Sequence, residues 1–255
     1  MARHGSWPAD RNPFLPDVAL WMAAGQGRSR VQQRAAFLHE LVKLAPIEIR
    51  PDWRLAGEHL VGTGIAFAFA GTPAPEAMPR LHELGVKEEQ IPAVRLAVET
   101  WLGRSPAGAP PAAADIGEPA AGSDAGRGGW GKAQTCDVYW ASGWIENHSI
   151  RDYAKVLRIG FRGIRAAVER RLVEADLADA DFPRRENFWK AALSICDAGL
   201  LLGQRYAERA QDMARSSVAP HDRRRLEQMA EACTRVPAEG ARTFSEAVQA
   251  LWLSH

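Results

Sequence analysis

The amino-acid sequence predicts a mainly α-helical chain, because apolar periodicity, helix-start signals and helix-stop residues recur along it. Residues 28–44 and 186–215 place apolar side chains three or four positions apart, which is the spacing of one face of an α-helix. Ser149 and Thr243 are each followed three positions later by a carboxylate, the pattern of a capping box. Pro237 follows a shorter periodic stretch and stops it.

The N-terminal half is expected to hold three helices. Pro46 ends the first, because proline cannot continue the hydrogen-bonded backbone of a helix. Phe and Ala alternate over 65–70, which fits a short strand or a buried loop. In chain order the predictions are a helix at 28–44, an extended stretch at 47–51, the strand or loop at 65–70, and helices at 79–84 and 88–102 joined at Gly85.

The C-terminal half is expected to hold four helices. Gly160 and Gly163 lie one turn apart in the first of them, where each glycine costs about 1 kcal/mol relative to alanine. Such a pair indicates close approach by another stretch of backbone. The predictions are a strand or tight loop at 136–144 and helices at 153–172, 186–215, 223–235 and 243–252.

The last predicted helix has an apolar stripe for which the sequence supplies no obvious cover. We expect the stripe to be buried by partners that this chain does not encode, because natural domains rarely expose a large apolar patch. A C-terminal helix docked within a complete protein is the other interpretation. The stripe consists of Phe244, Ala247, Val248, Leu251 and Trp252.

Composition divides the chain into four predicted regions. The stretch 104–133 is mostly Ala, Gly, Pro and Ser, so it buries too little apolar surface to offset its ordering entropy and is predicted to be a flexible linker or insertion. Residues 1–27 are predicted to be irregular. We expect regions 28–103 and 134–255 to be two helical parts of one domain that is truncated at the C-terminus.

Charge and cysteine content exclude several classes of protein. The 32 Lys and Arg residues almost balance the 31 Asp and Glu residues, which argues against binding to nucleic acid or to a membrane surface. The three cysteines have no C-x-x-C spacing, so neither a zinc ribbon nor a thioredoxin-type motif is predicted. The N-terminus lacks the apolar core of a signal peptide. We therefore expect a cytoplasmic protein that spans no membrane.

Four segments, taken in order, resemble the pyruvate formate-lyase family of glycyl radical enzymes, and most closely its glycerol and diol dehydratase branch. The resemblance implies the N-terminal helical part of the ten-stranded α/β barrel of that family. Residues 104–133 are not part of it. The segments are Pro46–Asp52 followed by Leu60–Gly62, Asn147–Leu157 followed by Gly160 and Gly163, Phe188–Ala210, and Cys233–Pro237 followed by Thr243–Gln249, Trp252 and His255.

The resemblance implies radical chemistry on a small polar substrate, either as a formate C-acetyltransferase or as a glycerol or diol dehydratase. In that family the radical glycine and the catalytic cysteine lie on loops later in the polypeptide, so this chain alone is expected to be inactive, and whether it is an enzyme by itself stays open. The alternative is a non-catalytic helical module that pairs with a separately encoded remainder.

Cofactors and partners also follow from the resemblance. No cofactor is expected to be bound by this chain. Longer family members carry a glycyl radical that an activase installs with S-adenosylmethionine and a 4Fe-4S cluster. The implied partners are the remainder of the barrel, that activase and a second copy in a homodimer.

His148 is the leading candidate for a site residue, because the family places a histidine of this motif at the substrate pocket, where it bonds a substrate hydroxyl. Imidazole suits that role, since it donates or accepts a proton near neutral pH. Asn147 and Trp144 are expected to line the same pocket. The other interpretation is that His148 only packs against or caps the next helix. Structural caps are expected at Ser149, Asp152, Thr243 and Glu246, and no metal-ligand spacing is found in the sequence.

Overall fold

The computed structural model of the chain describes residues 12–25, 27–51, 53–57, 68, 74–101 and 152–254. These residues form eight α-helices and one 3-10 turn, and no β-strand occurs among them, so the predicted mainly helical fold is confirmed. The helices are α1 (Leu15–Ala23), α2 (Arg30–Leu44), α3 (Ala74–Glu83), α4 (Ile91–Trp101), α5 (Tyr153–Val173), α6 (Phe182–Ser216), α7 (Pro220–Arg235) and α8 (Phe244–Ser254), with the 3-10 turn at Glu88–Gln90.

The chain divides into two compact units. One comprises residues 1–21 and 61–147, and the other comprises residues 22–60 and 148–255. The boundaries predicted at 28–103, 104–133 and 134–255 stay predictions, and the proposed linker lies outside the described residues.

Helix α1 corrects the expectation that residues 1–27 are irregular. Residues 15–23 are helical, and Leu15, Val18 and Leu20 are buried. The prolines around this segment favoured an irregular interpretation. A proline in the first helical turn is nevertheless tolerated, because the N–H that it lacks has no partner there in any case. The buried Asp17 carboxylate accepts a hydrogen bond from the backbone N–H of Ala68 at 3.0 Å.

Helices α3 and α4 complete the described part of the first unit. Helix α3 begins at Ala74, earlier than the predicted position 79, and Pro79 lies inside it. Gly85 follows α3 with a φ of 76°, a conformation that glycine adopts readily. One face of α4 is buried, and its members are Ile91, Val94, Val98 and Trp101.

Helix α6 is the long central helix of the second unit, with α2, α5 and α7 packed against it. It runs for 35 residues and has Pro183 in its first turn, as the sequence predicted. Small residues on the buried face of α6 allow side chains of neighbouring segments to approach its backbone closely. A Cβ atom added at Gly199 would lie 2.6 Å from the Phe161 ring, and one added at Gly203 would lie 2.8 Å from Pro237.

Helix α2 begins at a complete capping box. The Ser29 side chain accepts from the backbone N–H of Gln32 at 3.5 Å, and the Gln32 side chain accepts from the backbone N–H of Ser29 at 2.9 Å. At the other end of α2, Arg205 of α6 donates to the carbonyl of Val42. Both ends of α2 therefore have partners for otherwise unpaired backbone groups.

Gly160 interrupts α5 and brings a second stretch of backbone against it. Its φ of 61° and ψ of −178° are not helical, and the next two N–H groups donate out of the helix. Phe161 donates to the carbonyl of Pro237, and Arg162 donates to that of Ala238, both at 2.9 Å. The predicted close approach of backbone is confirmed at Gly160. At Gly163 the nearest atom to an added Cβ is the Cβ of Ile159, in the same helix.

The buried face of α8 differs from the predicted apolar stripe. Phe244 is 85% exposed and Trp252 is 38% exposed, whereas Gln249 and Ala250 are buried. A surface helix usually turns its apolar side inward, but the sequence predicts that this stripe lacks cover within the chain. Here Gln249 lies inward instead, because its amide finds two backbone partners at Ala56.

Candidate functional site

The residues predicted to line a substrate pocket, Trp144, Asn147 and His148, lie outside the described residues, as does Ser149. The described structure resumes at Asp152, four positions after His148 in sequence. It therefore shows the helix that follows the predicted site and the contacts that hold this helix in place. The role of His148 stays a prediction.

Asp152 is the N-cap residue of α5, whereas the predicted capping box placed it in the first helical turn. One carboxylate oxygen accepts from the backbone N–H of Lys155 at 3.0 Å, and the other lies 3.0 Å from the Lys155 ammonium. These hydrogen bonds, first from the side chain and then from the backbone of Lys155, lower the pKa of Asp152. The carboxylate also suits the positive end of the helix dipole.

The crossing at Gly160 holds the first half of α5 against the segment that leads to α8. Arg162 forms an ion pair of 2.7 Å with Glu239, and Ala241 donates its N–H to the carbonyl of Leu157 at 2.8 Å. A Cβ atom on Gly240 would overlap the carbonyl oxygen of Arg158. The two backbones are therefore in direct contact over several residues, and the first turns of α5 are fixed on one side.

Thr243 and Glu246 lie at the start of α8. The Thr243 hydroxyl accepts from the N–H of Glu246 at 3.1 Å, and the Glu246 carboxylate accepts from the N–H of Arg242 at 2.6 Å. Arg235 lies 3.5 Å from the same carboxylate and donates to the carbonyl of Gly240 at 3.0 Å. An ion pair and hydrogen bonds therefore connect the start of α8 to the end of α7.

A groove of about 280 Å³ runs along α6 and α7 with Arg162 of α5 at its edge, and it contains none of the predicted site residues. Cys233 lines it, but burial raises the pKa of the Cys233 thiol to about 12. The thiol is therefore protonated near neutral pH and is a poor nucleophile. Burial likewise raises the pKa of Cys196 to about 11. The lining is Arg162, Leu200, Gln204, Ala207, Glu208, Gln211, Cys233, Thr234 and Ala238.

Two further features bear on function. Among the described residues, no group of His, Cys, Asp and Glu side chains is arranged to hold a metal ion. The same residues include no helix with the length and apolar character needed to cross a bilayer.

Gln249 is an anchoring residue that sequence reasoning missed. In the sequence it belongs to the Thr243–Gln249 motif, and a lone amide between Val248 and Ala250 in an apolar helix is a recognisable signal for a buried hydrogen bond. Its partner Ala56 is distant in sequence, so no local pattern identifies the pair.

Comparison with known proteins identifies similar sequences. Residues 133–255 match the family described as pyruvate formate lyase-like. The chain is 40% identical to the isethionate sulfite-lyase of Oleidesulfovibrio alaskensis over 106 residues. These residues make up 41% of this chain and 13% of that protein. It is 35% identical over 101 residues to the trans-4-hydroxy-L-proline dehydratase of Clostridioides difficile, covering 39% of this chain and 13% of that one.

Solved structures share the fold over nearly the whole chain. The glycerol-bound B12-independent glycerol dehydratase of Clostridium butyricum has a TM-score of 0.61 at 21% identity, covering 95% of this chain and 30% of that chain. The hydroxyproline dehydratase of Clostridioides difficile has a TM-score of 0.59 at 19% identity, and the match covers 98% of this chain and 31% of that chain. The chain therefore spans about 13% of the length of these curated relatives in sequence, and about 30% of the solved chains in structure.

Proposed function

We propose that this chain, whose residues 133–255 match the family described as pyruvate formate lyase-like, forms the N-terminal helical part of a glycyl radical lyase that acts on a small polar substrate. One observation carries the proposal. The fold is shared over 95% of this chain with a glycerol dehydratase of which it covers only 30%. The radical glycine and the catalytic cysteine would then belong to the rest of such an enzyme, and these residues would supply scaffold and one wall of the pocket.

His148 is the residue that we assign to substrate binding. It precedes the N-cap Asp152 by four positions, and α5 is held in place by the backbone crossing at Gly160. A residue four positions before a fixed helix start in the sequence is suited to positioning a substrate. A neutral imidazole accepts a hydrogen bond at one ring nitrogen and donates one from the other, which suits a substrate hydroxyl. Asn147 and Trp144 would complete this wall.

The reaction class is dehydration or the related release of another leaving group, such as sulfite, from a small polar substrate. The relatives named above are two dehydratases and a sulfite-lyase. A glycyl radical, once installed elsewhere in a complete enzyme, would supply the hydrogen abstraction. The residues of this chain would bind and orient the hydroxyl-bearing substrate and would hold a proton at the His148 imidazole.

The scaffold role is tested by electron paramagnetic resonance. The 255-residue chain is incubated anaerobically with an S-adenosylmethionine-dependent activase, with the complete isethionate sulfite-lyase of Oleidesulfovibrio alaskensis and its own activase as the positive control. We expect a glycyl doublet from the control and none from the chain alone. A doublet from these residues would overturn the proposal.

The role of His148 is tested in a hybrid enzyme. Residues 133–255 replace the matching segment of the complete isethionate sulfite-lyase, and the variants His148→Ala and His148→Gln are compared with His221→Ala, an exposed histidine of α7. We expect both His148 variants to keep the glycyl radical signal and to lose about 100-fold or more in turnover. Turnover that matches the His221→Ala control would remove His148 from the pocket.

A further inference from the structure

We draw no further inference here: the strongest candidate, the groove along α6 and α7, is lined by the surface carboxylates of Glu208, Glu227 and Glu231, and nothing among the described residues shows which ligand or partner would occupy it.

Discussion

The side-chain amide of Gln249 pairs with both backbone groups of Ala56, much as one β-strand pairs with another. Its oxygen accepts the Ala56 N–H at 2.8 Å, and its NH₂ group donates to the Ala56 carbonyl at 2.8 Å. The two residues are 193 positions apart, and both are buried. This pair joins the last described helix to the segment that follows α2.

Loss of the Gln249 amide should destabilise the chain strongly. We expect Gln249→Leu, which keeps most of the side-chain volume, to lower the free energy of unfolding by about 2 to 4 kcal/mol, because two buried backbone groups of Ala56 lose their partners. Urea denaturation measures the change. Gln228→Leu on the exposed side of α7 is the matched control and should change the free energy by less than about 0.5 kcal/mol. Equal midpoints for the two variants would contradict this account of the pair.

Gly160 should tolerate no side chain. Its φ is 61°, and a Cβ atom would overlap the carbonyl oxygen of Ala238. We expect Gly160→Ala to cost about 3 kcal/mol or more, because backbone strain adds to a steric clash that only movement of the Ala238 backbone relieves. Gly27→Ala is the control, since Gly27 has a φ of 77° and no atom within 4 Å of an added Cβ. Gly27→Ala should lower the free energy of unfolding by about 1 kcal/mol in the same denaturation experiment, because only backbone strain is added. A similar cost for both would indicate that α5 does not depend on the close crossing.

The Cys233 thiol should make the free energy of unfolding depend on pH above the ordinary pKa of a cysteine thiol. Burial raises the pKa of Cys233 from 9.0 to about 12. Between these values the thiol ionises in the unfolded chain and stays protonated in the folded chain, so unfolding releases a proton and stability falls as pH rises. We expect a loss of about 1.4 kcal/mol per pH unit from this group between about pH 9 and pH 12, and none below pH 9.

Cys233→Ala isolates this contribution from the other groups that titrate in alkali. Urea denaturation at several pH values should give the variant a shallower decline of stability than the wild-type chain above pH 9, although its stability at pH 7 is lower because a small cavity forms. Parallel declines for the two proteins would show that the folded thiol ionises as readily as the unfolded one.

Arg205 should stabilise the C-terminal end of α2. Its guanidinium donates to the Val42 carbonyl in the last turn of α2, where carbonyls lack partners within the helix. We expect Arg205→Met to keep most of the packing of the side-chain stem and to cost about 1 kcal/mol, with faster amide hydrogen exchange in the last turn of α2. Arg209→Met, on the exposed side of the same helix, is the control and should leave exchange in α2 unchanged. Unchanged exchange in both variants would argue against the cap.

Helix positions in the second unit were predictable to within a few residues. Helix α7 begins at Pro220 where position 223 was expected and ends at Arg235 as expected, with Leu226, Met229, Ala230 and Cys233 buried as predicted. These features follow from local signals that the sequence displays directly. The predicted pocket residues depend on a short motif before α5, and their roles are proposals that the hybrid enzyme tests.

Three features of the structure could not be predicted from local patterns. The irregular interpretation of residues 15–23 was wrong, because burial of the apolar side of α1 outweighs the signal of the prolines around it. The cap of α5 is Asp152, since its carboxylate reaches the N–H of Lys155. The inward face of α8 contains Gln249, whose partner Ala56 lies far away in the sequence.

The sequence by itself determined that this chain is helical, where most of its helices begin and end, and that glycine is required where α5 meets another backbone. These are consequences of interactions between residues a few positions apart, which helical periodicity and capping record directly. Only the tertiary structure decided which side of α8 is buried and which polar side chains replace apolar ones inside. The physical reason is that a buried amide is tolerated only where distant backbone supplies its hydrogen bonds, and that supply depends on how the helices pack.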